Sequence, residues 1–152
     1  MLDDWGHALL TDFGLSKEGV EDKHTKSFCG SYAYLAPEMV KKVGHGKMVD
    51  WYLLGVLLYE MLVGIPPFYD NDWDVLFNNI VNEDLEIPHF ISNEAKDLLV
   101  KLLEKNPDTR LGKKGGSEEI KKHKWFKGVK WGDVFNKKIE PPIPYLKWKV
   151  KK

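Results

Sequence analysis

The segment from Val49 to Val63 is the strongest constraint on the fold, because 12 of its 15 residues are apolar. The other three are Asp50, Gly55 and Glu60. The run is shorter than the roughly 20 residues that a membrane-spanning helix needs, and two acids interrupt it. A helix that is apolar on nearly every side is normally buried inside a domain. The segment therefore predicts a central, buried helix rather than a membrane span.

Two further segments repeat apolar residues at intervals of three and four, which is the spacing of one helix face. The first runs from Trp73 to Val81 and the second from Ala95 to Leu103, with Ser92 as the expected N-cap of the second. A shorter fourth helix is predicted over Glu118–Trp125. Residues 1–13 predict a short β-hairpin around a turn. Together these segments indicate a mainly α domain with a short β-hairpin remnant at its N-terminus.

The formal net charge is zero, yet the charges are divided unevenly along the chain. Residues 1–120 carry a net charge of −9, and residues 121–152 carry a net charge of +9. Such a division indicates segments with different roles. Cys29 is the single cysteine, so it has no disulfide partner within the chain, and an intracellular, cytoplasmic location is expected.

Short motifs follow one another in a fixed order. Asp12-Phe13-Gly14 comes first, and Ala36-Pro37-Glu38 begins 22 residues after its glycine. The other motifs are Phe28-Cys29-Gly30-Ser31, Gly64-Ile65-Pro66-Pro67-Phe68, Arg110-Leu111-Gly112 and His123-Lys124-Trp125-Phe126. In this order and spacing they resemble the C-terminal lobe of a eukaryotic serine/threonine protein kinase, truncated at the N-terminus. The Phe-Cys-Gly-Ser segment and the proline-rich end resemble the AGC group, which includes the cyclic-nucleotide-dependent kinases, protein kinase C and the Akt and S6 kinases.

This resemblance implies a protein-kinase-like fold of which only the C-terminal lobe lies in the chain. Residues 1–126 would run from the strand before the Asp-Phe-Gly motif to the last helix of the kinase domain. Residues 127–152 would begin the C-terminal tail of the AGC group. The glycine-rich loop, the strand lysine and the catalytic-loop Asp and Asn have no counterpart in the sequence. We therefore expect the general base to lie upstream of Met1, and the 152 residues alone to be inactive.

Kinases use ATP and Mg²⁺, and the resemblance assigns the cofactor contacts to Asp12, Phe13 and Gly14. Asp12 would be the metal ligand, since Mg²⁺ prefers carboxylate oxygens. Phe13 would pack beneath it, and Gly14 would let the chain turn. ATP and Mg²⁺ are thus expected in the intact parent protein, whereas no bound cofactor is expected for these 152 residues by themselves.

The resemblance assigns roles in activation and substrate recognition to a second group of residues. Ser27 matches the activation-loop phosphoacceptor of the AGC group, with Thr25 as the neighbouring alternative, and an upstream activating kinase would modify it. Ser31 matches a hydroxyl that touches the catalytic aspartate. Leu35 matches the wall that receives the substrate residue after the phosphoacceptor. Glu60 matches an acid that binds a substrate arginine, so protein substrates with basic motifs are expected.

Three residues match structural positions of the kinase fold. Glu38 and Arg110, which are 72 positions apart, match a buried ion pair. Asp50 matches an acid that holds the backbone of the catalytic loop, and capping of the central helix is its alternative role. The tryptophans among the C-terminal lysines match positions in the core and tail of the kinase lobe, so no nucleic-acid partner is expected.

Two functions follow from this interpretation. The first is part of a serine/threonine kinase that, in the intact parent, transfers the γ-phosphate of ATP to proteins. The alternative is a non-catalytic, kinase-like binding or scaffold module that keeps the substrate-docking face and competes with active kinases.

Overall fold

The computed structural model describes residues 1–14, 16–18 and 31–141, which divide between two compact units. The larger unit spans Lys17–Lys127, and the smaller combines Met1–Ser16 with Gly128–Lys152. The described α-helices are α1 (Pro37–Val40), α2 (Met48–Val63), α3 (Trp73–Asn82), α4 (Asn93–Leu102), α5 (Gly116–Lys121) and α6 (Trp131–Phe135). Two 3-10 helices cover Tyr32–Tyr34 and Lys124–Phe126. No helix in the described ranges is long and apolar enough to cross a membrane.

Helix α2 confirms the predicted central helix and begins one residue earlier, at Met48. One side of it packs against α4. A Cβ atom at Gly55 would lie 2.9 Å from the Cβ of Leu102, so glycine allows the two helices to approach this closely. The core of the larger unit forms around this contact, and its buried members include Tyr52, Val56, Leu58, Tyr59, Phe68, Leu76, Ile80, Leu98, Leu99 and Leu102.

The expectation that α2 lies inside the domain holds for only part of its surface among the described residues. The resemblance to kinases also implied exposed apolar area on this helix, because the sequence lacks counterparts of the helix and catalytic loop that normally cover it. Leu54, Leu57 and Met61 are 38%, 43% and 66% exposed. Their spacing of three and four residues places them on one face of the helix. The reason is that α4 and the first 3-10 helix, which contact α2, leave this face uncovered. An apolar stripe on a predominantly buried helix is therefore open to solvent.

Helices α3 and α4 confirm the two segments predicted from apolar spacing. The carboxylate of Asp72 accepts hydrogen bonds from the N–H groups of Asp74 and Val75 at the start of α3. Ser92 is the N-cap of α4, as expected, because its hydroxyl accepts a hydrogen bond of 3.2 Å from the N–H of Ala95. Each cap satisfies amide groups that have no partner within the helix.

The predicted fourth helix over Glu118–Trp125 is instead divided into α5 and the second 3-10 helix. His123 lies between them and accounts for the interruption. Its Nδ1 accepts a hydrogen bond of 3.3 Å from the N–H of Trp125, which caps the new helix. Its Nε2 lies 2.8 Å from Oδ2 of Asp97 on α4. The side chain is thereby fixed at the point where the α-helical hydrogen bonds stop.

The β-hairpin predicted for residues 1–13 is reduced to a single antiparallel bridge, between Leu2 and Ala8, and no strand forms in the described residues. The side chain of Asp3 explains the difference. Its Oδ1 accepts hydrogen bonds from the N–H groups of Trp5 and His7, so His7 does not donate to a ladder carbonyl. A hydrogen bond from Lys137 at 2.7 Å holds the pKa of the Asp3 carboxyl at about 2.

Candidate functional site

A tight turn in the larger unit carries two of the proposed substrate contacts, Ser31 and Leu35. Ser31 is exposed, and its hydroxyl does not cap the 3-10 helix that follows it. The carbonyl of Ser31 accepts a hydrogen bond of 3.0 Å from the N–H of Tyr34. Leu35 ends the 3-10 helix and is only 2% exposed. The turn therefore presents a serine to solvent while the leucine anchors it in the core.

Glu60 lies near the end of α2 and is partly exposed. The hydroxyl of Tyr34 donates a hydrogen bond to its Oε2. The structure thus brings Glu60 next to the turn that carries Ser31 and Leu35. A phenol is a neutral donor, so this contact leaves the negative charge of the carboxylate in place.

Glu38 and Arg110 form a buried, bidentate ion pair. Nη1 of Arg110 donates to Oε1 of Glu38 at 2.7 Å, and Nη2 donates to Oε2 at 2.9 Å. The guanidinium also donates to the backbone carbonyls of Met48, Glu104 and Lys105. One side chain therefore ties α1, the start of α2 and the segment after α4 together.

Asp50 occupies the first turn of α2, where it is exposed. The N-cap of this helix is Lys47, and no side-chain hydrogen bond caps it, so the alternative role of Asp50 as a helix cap is wrong. Although the residue as a whole is exposed, desolvation of its carboxyl group by neighbouring atoms raises the pKa of Asp50. Its expected contact with the backbone of a catalytic loop stays a prediction.

Asp12, Phe13 and Gly14 belong to the smaller unit. The backbone of Asp12 has a φ of 63°, in the left-handed region that aspartate enters more readily than most residues. A Cβ at Gly14 would lie 3.4 Å from Oδ1 of Asp12, which is an ordinary van der Waals contact. An exposed carboxylate fits one ligand position of a Mg²⁺ ion. No group of three or more metal-binding side chains occurs in the described residues.

The expected packing of Phe13 beneath Asp12 in the intact kinase stays a prediction. Phe13 is 63% exposed. The described residues of the smaller unit contain no buried hydrophobic side chain, so the phenylalanine has no core of its own unit to enter. Ser27 and its alternative, Thr25, lie outside the described residues.

Sequence reasoning missed Tyr34, the partner of Glu60. An acid in an apolar helix indicates that some donor must bind it, because an unpaired buried carboxylate is costly. The donor lies 26 residues earlier in the chain, and no local pattern singles it out among the tyrosines. The proximity of the two side chains emerges only once the turn packs against α2.

Sequence reasoning also missed Tyr52, whose hydroxyl is buried without a hydrogen-bond partner among the described residues. Burial raises the pKa of this phenol. We expect Tyr52→Phe to raise the free energy of unfolding by about 1 kcal/mol, because it removes an unsatisfied polar atom and keeps the ring. Urea denaturation of the 152-residue chain measures the change.

Tyr59→Phe is the matched control, since the Tyr59 hydroxyl donates to the carbonyl of Glu86 at 2.8 Å. Removing that satisfied hydrogen bond is expected to lower the free energy of unfolding by about 1 kcal/mol. Equal losses of stability in the two variants would contradict the assignment of Tyr52 as unsatisfied.

Comparison with known proteins matches residues 1–126 to the protein kinase domain. The chain is 49% identical over 140 residues to Protein kinase 2 of Dictyostelium discoideum. The aligned region covers 92% of this chain and 29% of that protein. It is 48% identical over 144 residues to serine/threonine-protein kinase Sgk1 of Homo sapiens, covering 94% of this chain and 33% of the relative. It is also 46% identical over 142 residues to serine/threonine-protein kinase AtPK2/AtPK19 of Arabidopsis thaliana. That alignment covers 93% of this chain and 30% of the relative.

The chain therefore spans about a third of the length of the curated relatives it matches. The Homo sapiens and Arabidopsis thaliana relatives are serine/threonine kinases by name. The family match extends over most of the 152 residues, from residue 1 to the end of the second 3-10 helix at Phe126. On the strength of this match and of these identities, the chain belongs to the protein kinase family.

Proposed function

We propose that this chain supplies the C-terminal, substrate-binding part of a serine/threonine kinase of the AGC group. In the complete protein, the γ-phosphate of ATP is transferred to serine or threonine of protein substrates with basic motifs. Residues 1–126 contribute to the kinase domain, and residues 127–152 begin the C-terminal tail. The identity with Sgk1 supports the group, and the single cysteine supports an intracellular location.

The observation that carries the basic-substrate proposal is the contrast between Glu38 and Glu60. Glu38 is buried and receives two hydrogen bonds from a guanidinium, which offsets its charge. Glu60 is partly exposed and, among the described residues, is bound through its side chain by the neutral hydroxyl of Tyr34. An acid that keeps its charge at a solvent-accessible position attracts a cationic side chain. Its position beside the turn of Ser31 and Leu35 suits recognition of a peptide.

The cofactor proposal rests on Asp12. Kinases use ATP with Mg²⁺, and this exposed carboxylate would hold the ion. Mg²⁺ supplies positive charge that offsets the charge of the phosphate groups during transfer. Phosphorylation of Ser27 by an upstream kinase would add negative charge to the segment between Asp12 and Ser31.

The test uses the complete kinase that contains this chain, with ATP, Mg²⁺ and two peptides. Both peptides carry the same serine acceptor, preceded on its N-terminal side by arginine in one and by alanine in the other. We expect the arginine peptide to be preferred. Glu60→Gln should lower kcat/KM for that peptide at least about 30-fold, because a charge-paired contact is lost, and should change the alanine peptide little.

Glu118→Gln is the matched control, because Glu118 is an exposed acid on α5 that pairs with Lys121. It is expected to leave the preference for arginine unchanged. The 152-residue polypeptide, assayed alone, is expected to show no transfer. No phosphorylation of either peptide by the complete protein, or equal phosphorylation of both, would contradict the proposal.

A further inference from the structure

Ser117 lies in the first turn of α5, at a surface position that the proposed function does not use. It is exposed, and its hydroxyl has no hydrogen-bond partner among the described residues. Among the serine and threonine residues of the chain, it is the one with lysines at both the third and the fourth position before it, Lys114 and Lys113. A serine preceded by basic residues is the kind of acceptor that the proposed function expects.

The two lysines can bind an acid on another molecule. Lys113 pairs with Asp108 at 2.6 Å, but the two side chains are 46% and 74% exposed. Exposed pairs of this kind contribute little free energy, so the lysine can exchange its partner at small cost. Lys114 is exposed, and its ammonium group forms no ion pair among the described residues. Both positive charges are therefore accessible to a carboxylate of a second protein.

The turn around Ser117 is held by few contacts, so it can open to let the hydroxyl enter an active site. Gly115 is the N-cap of α5 and provides no side-chain hydrogen bond, and the N–H of Glu119 reaches its carbonyl only at 3.4 Å. Oε2 of Glu119 accepts hydrogen bonds from the N–H groups of Lys114 and Gly115 at an exposed position. Exposed turns with few buried contacts open locally at low cost. Ile120, which is 5% exposed, keeps the rest of α5 in the core.

Gly112 limits how far the opened turn can move. A Cβ at Gly112 would lie 2.6 Å from the indole of Trp51 near the start of α2, and its carbonyl accepts a hydrogen bond of 2.9 Å from the N–H of Gly116. Glu60 lies nine residues after Trp51, about 13 Å further along the axis of α2. The two residues from Gly112 to Lys114 extend over at most about 7 Å. The backbone of Lys114 therefore cannot lie beside Glu60 of its own molecule, and the active site must be that of a second copy.

We propose that Ser117 is a phosphorylation site of this kinase, modified by a second copy of the same enzyme. This inference rests on the proposed function, because it uses both the transfer activity and the preference for basic residues. Lys113 and Lys114 provide the positive charge that Glu60 of the second copy binds. The hydroxyl oxygen of Ser117 forms a bond to the γ-phosphorus of ATP, and the bond from that phosphorus to the β–γ bridging oxygen breaks. ADP leaves, and the hydroxyl proton passes to the general base of the complete protein.

The experiment uses two forms of the complete kinase. The enzyme is the unsubstituted protein, and the acceptor is an affinity-tagged copy with Asp12→Asn, which removes the proposed metal ligand. After incubation with ATP and Mg²⁺, the tagged copy is isolated and the phosphate on each serine is measured by mass spectrometry. We expect phosphate on Ser117 and none on Ser92, an exposed serine with no lysine among the four residues before it. The tagged copy incubated alone should stay unmodified.

Lys113→Ala together with Lys114→Ala in the tagged copy should lower the rate of phosphorylation of Ser117 at least about tenfold, because the positive charge before the acceptor is lost. Lys121→Ala together with Lys122→Ala is the matched control, since it removes the same charge on the C-terminal side of Ser117. It should leave the rate unchanged. The melting temperature of each tagged copy verifies that the fold is retained.

A peptide with the sequence of residues 112–122 is the second substrate, because in it no turn has to open. If the peptide is phosphorylated and Ser117 of the tagged protein is not, the turn stays closed and the proposal is wrong. Phosphorylation of the arginine peptide with neither of these substrates modified would overturn the proposal and leave the proposed function intact. Equal rates at Ser117 and Ser92, or phosphate on Ser117 of the untagged copies alone, would also overturn it. Absence of transfer to the arginine peptide would contradict the proposed function itself.

Discussion

Arg110→Ala is expected to lower the free energy of unfolding by about 3–5 kcal/mol, the cost of leaving a buried charge without its partner. Arg110 is 1% exposed and Glu38 is 5% exposed. Removing the guanidinium leaves the Glu38 carboxylate in the core without its two charged hydrogen bonds. It also removes the donors to the carbonyls of Met48, Glu104 and Lys105. A loss of this size is a large share of the roughly 5–15 kcal/mol by which whole domains are stable.

Urea denaturation of the 152-residue chain and of the variant measures the loss. Lys113→Ala is the matched control, because Lys113 and Asp108 form an exposed ion pair with an N–O distance of 2.6 Å. The Lys113→Ala substitution is expected to lower the free energy of unfolding by at most about 1 kcal/mol, since water already screens such a pair. A double variant, Arg110→Met with Glu38→Leu, should recover part of the stability because no charge remains buried. Similar losses in Arg110→Ala and Lys113→Ala would contradict the structural role of the buried pair.

The longer helices could be predicted from the sequence because each contains enough residues to show a pattern. Helices α3 and α4 have 10 residues each, and their apolar positions recur at helical spacing. Helix α2 has 16 residues and was predicted from the length of its nearly continuous apolar run instead. Helix α1 has four residues, which is scarcely one turn and shows no period. The hairpin prediction was wrong because a single side chain, that of Asp3, takes the amide hydrogen bonds that a ladder would use.

Contacts between residues far apart in the sequence could not be predicted from local patterns of residues. The pairing of Glu38 with Arg110 spans 72 positions and was expected only from the resemblance to kinases. The contacts of Asp97 were not expected at all. Hydrogen bonds from Lys101 and from His123 hold the pKa of its carboxyl far below the usual value. His123 lies 26 positions from Asp97, and only the packing of the second 3-10 helix against α4 brings them together.

The exposed stripe of Leu54, Leu57 and Met61 shows why apolar composition alone did not predict burial. Composition indicates that a helix favours an apolar environment on each side, but burial also requires another element to cover that side. The described elements cover only the face of α2 that carries Gly55 and Tyr52. The Met61 side chain is consequently 66% exposed although it lies in the most apolar segment of the chain.

Asp12→Asn in the complete kinase is expected to lower kcat/KM at least about 100-fold, a loss typical of removing one electrostatic contact to the reacting group. Asparagine is chosen as the replacement because it suits the backbone conformation at this position. Asp12 has a φ of 63°, and asparagine is the residue that tolerates this conformation as well as aspartate does. Asparagine also keeps the size of the side chain next to Gly14. The change therefore removes the negative charge that would hold Mg²⁺ and preserves the local fold.

The measurement is a kinase assay over a range of Mg²⁺ concentrations, with circular dichroism to verify that the fold is retained. The variant should need a higher Mg²⁺ concentration for half-maximal activity, because an amide oxygen binds the ion more weakly than a carboxylate does. Asp4→Asn is the control, since Asp4 is an exposed acid in the turn of the same unit. It is expected to leave both the rate and the Mg²⁺ dependence unchanged. A folded Asp12→Asn variant with full activity and the same Mg²⁺ dependence would show that Asp12 does not hold the metal, because loss of the charge would then be without effect.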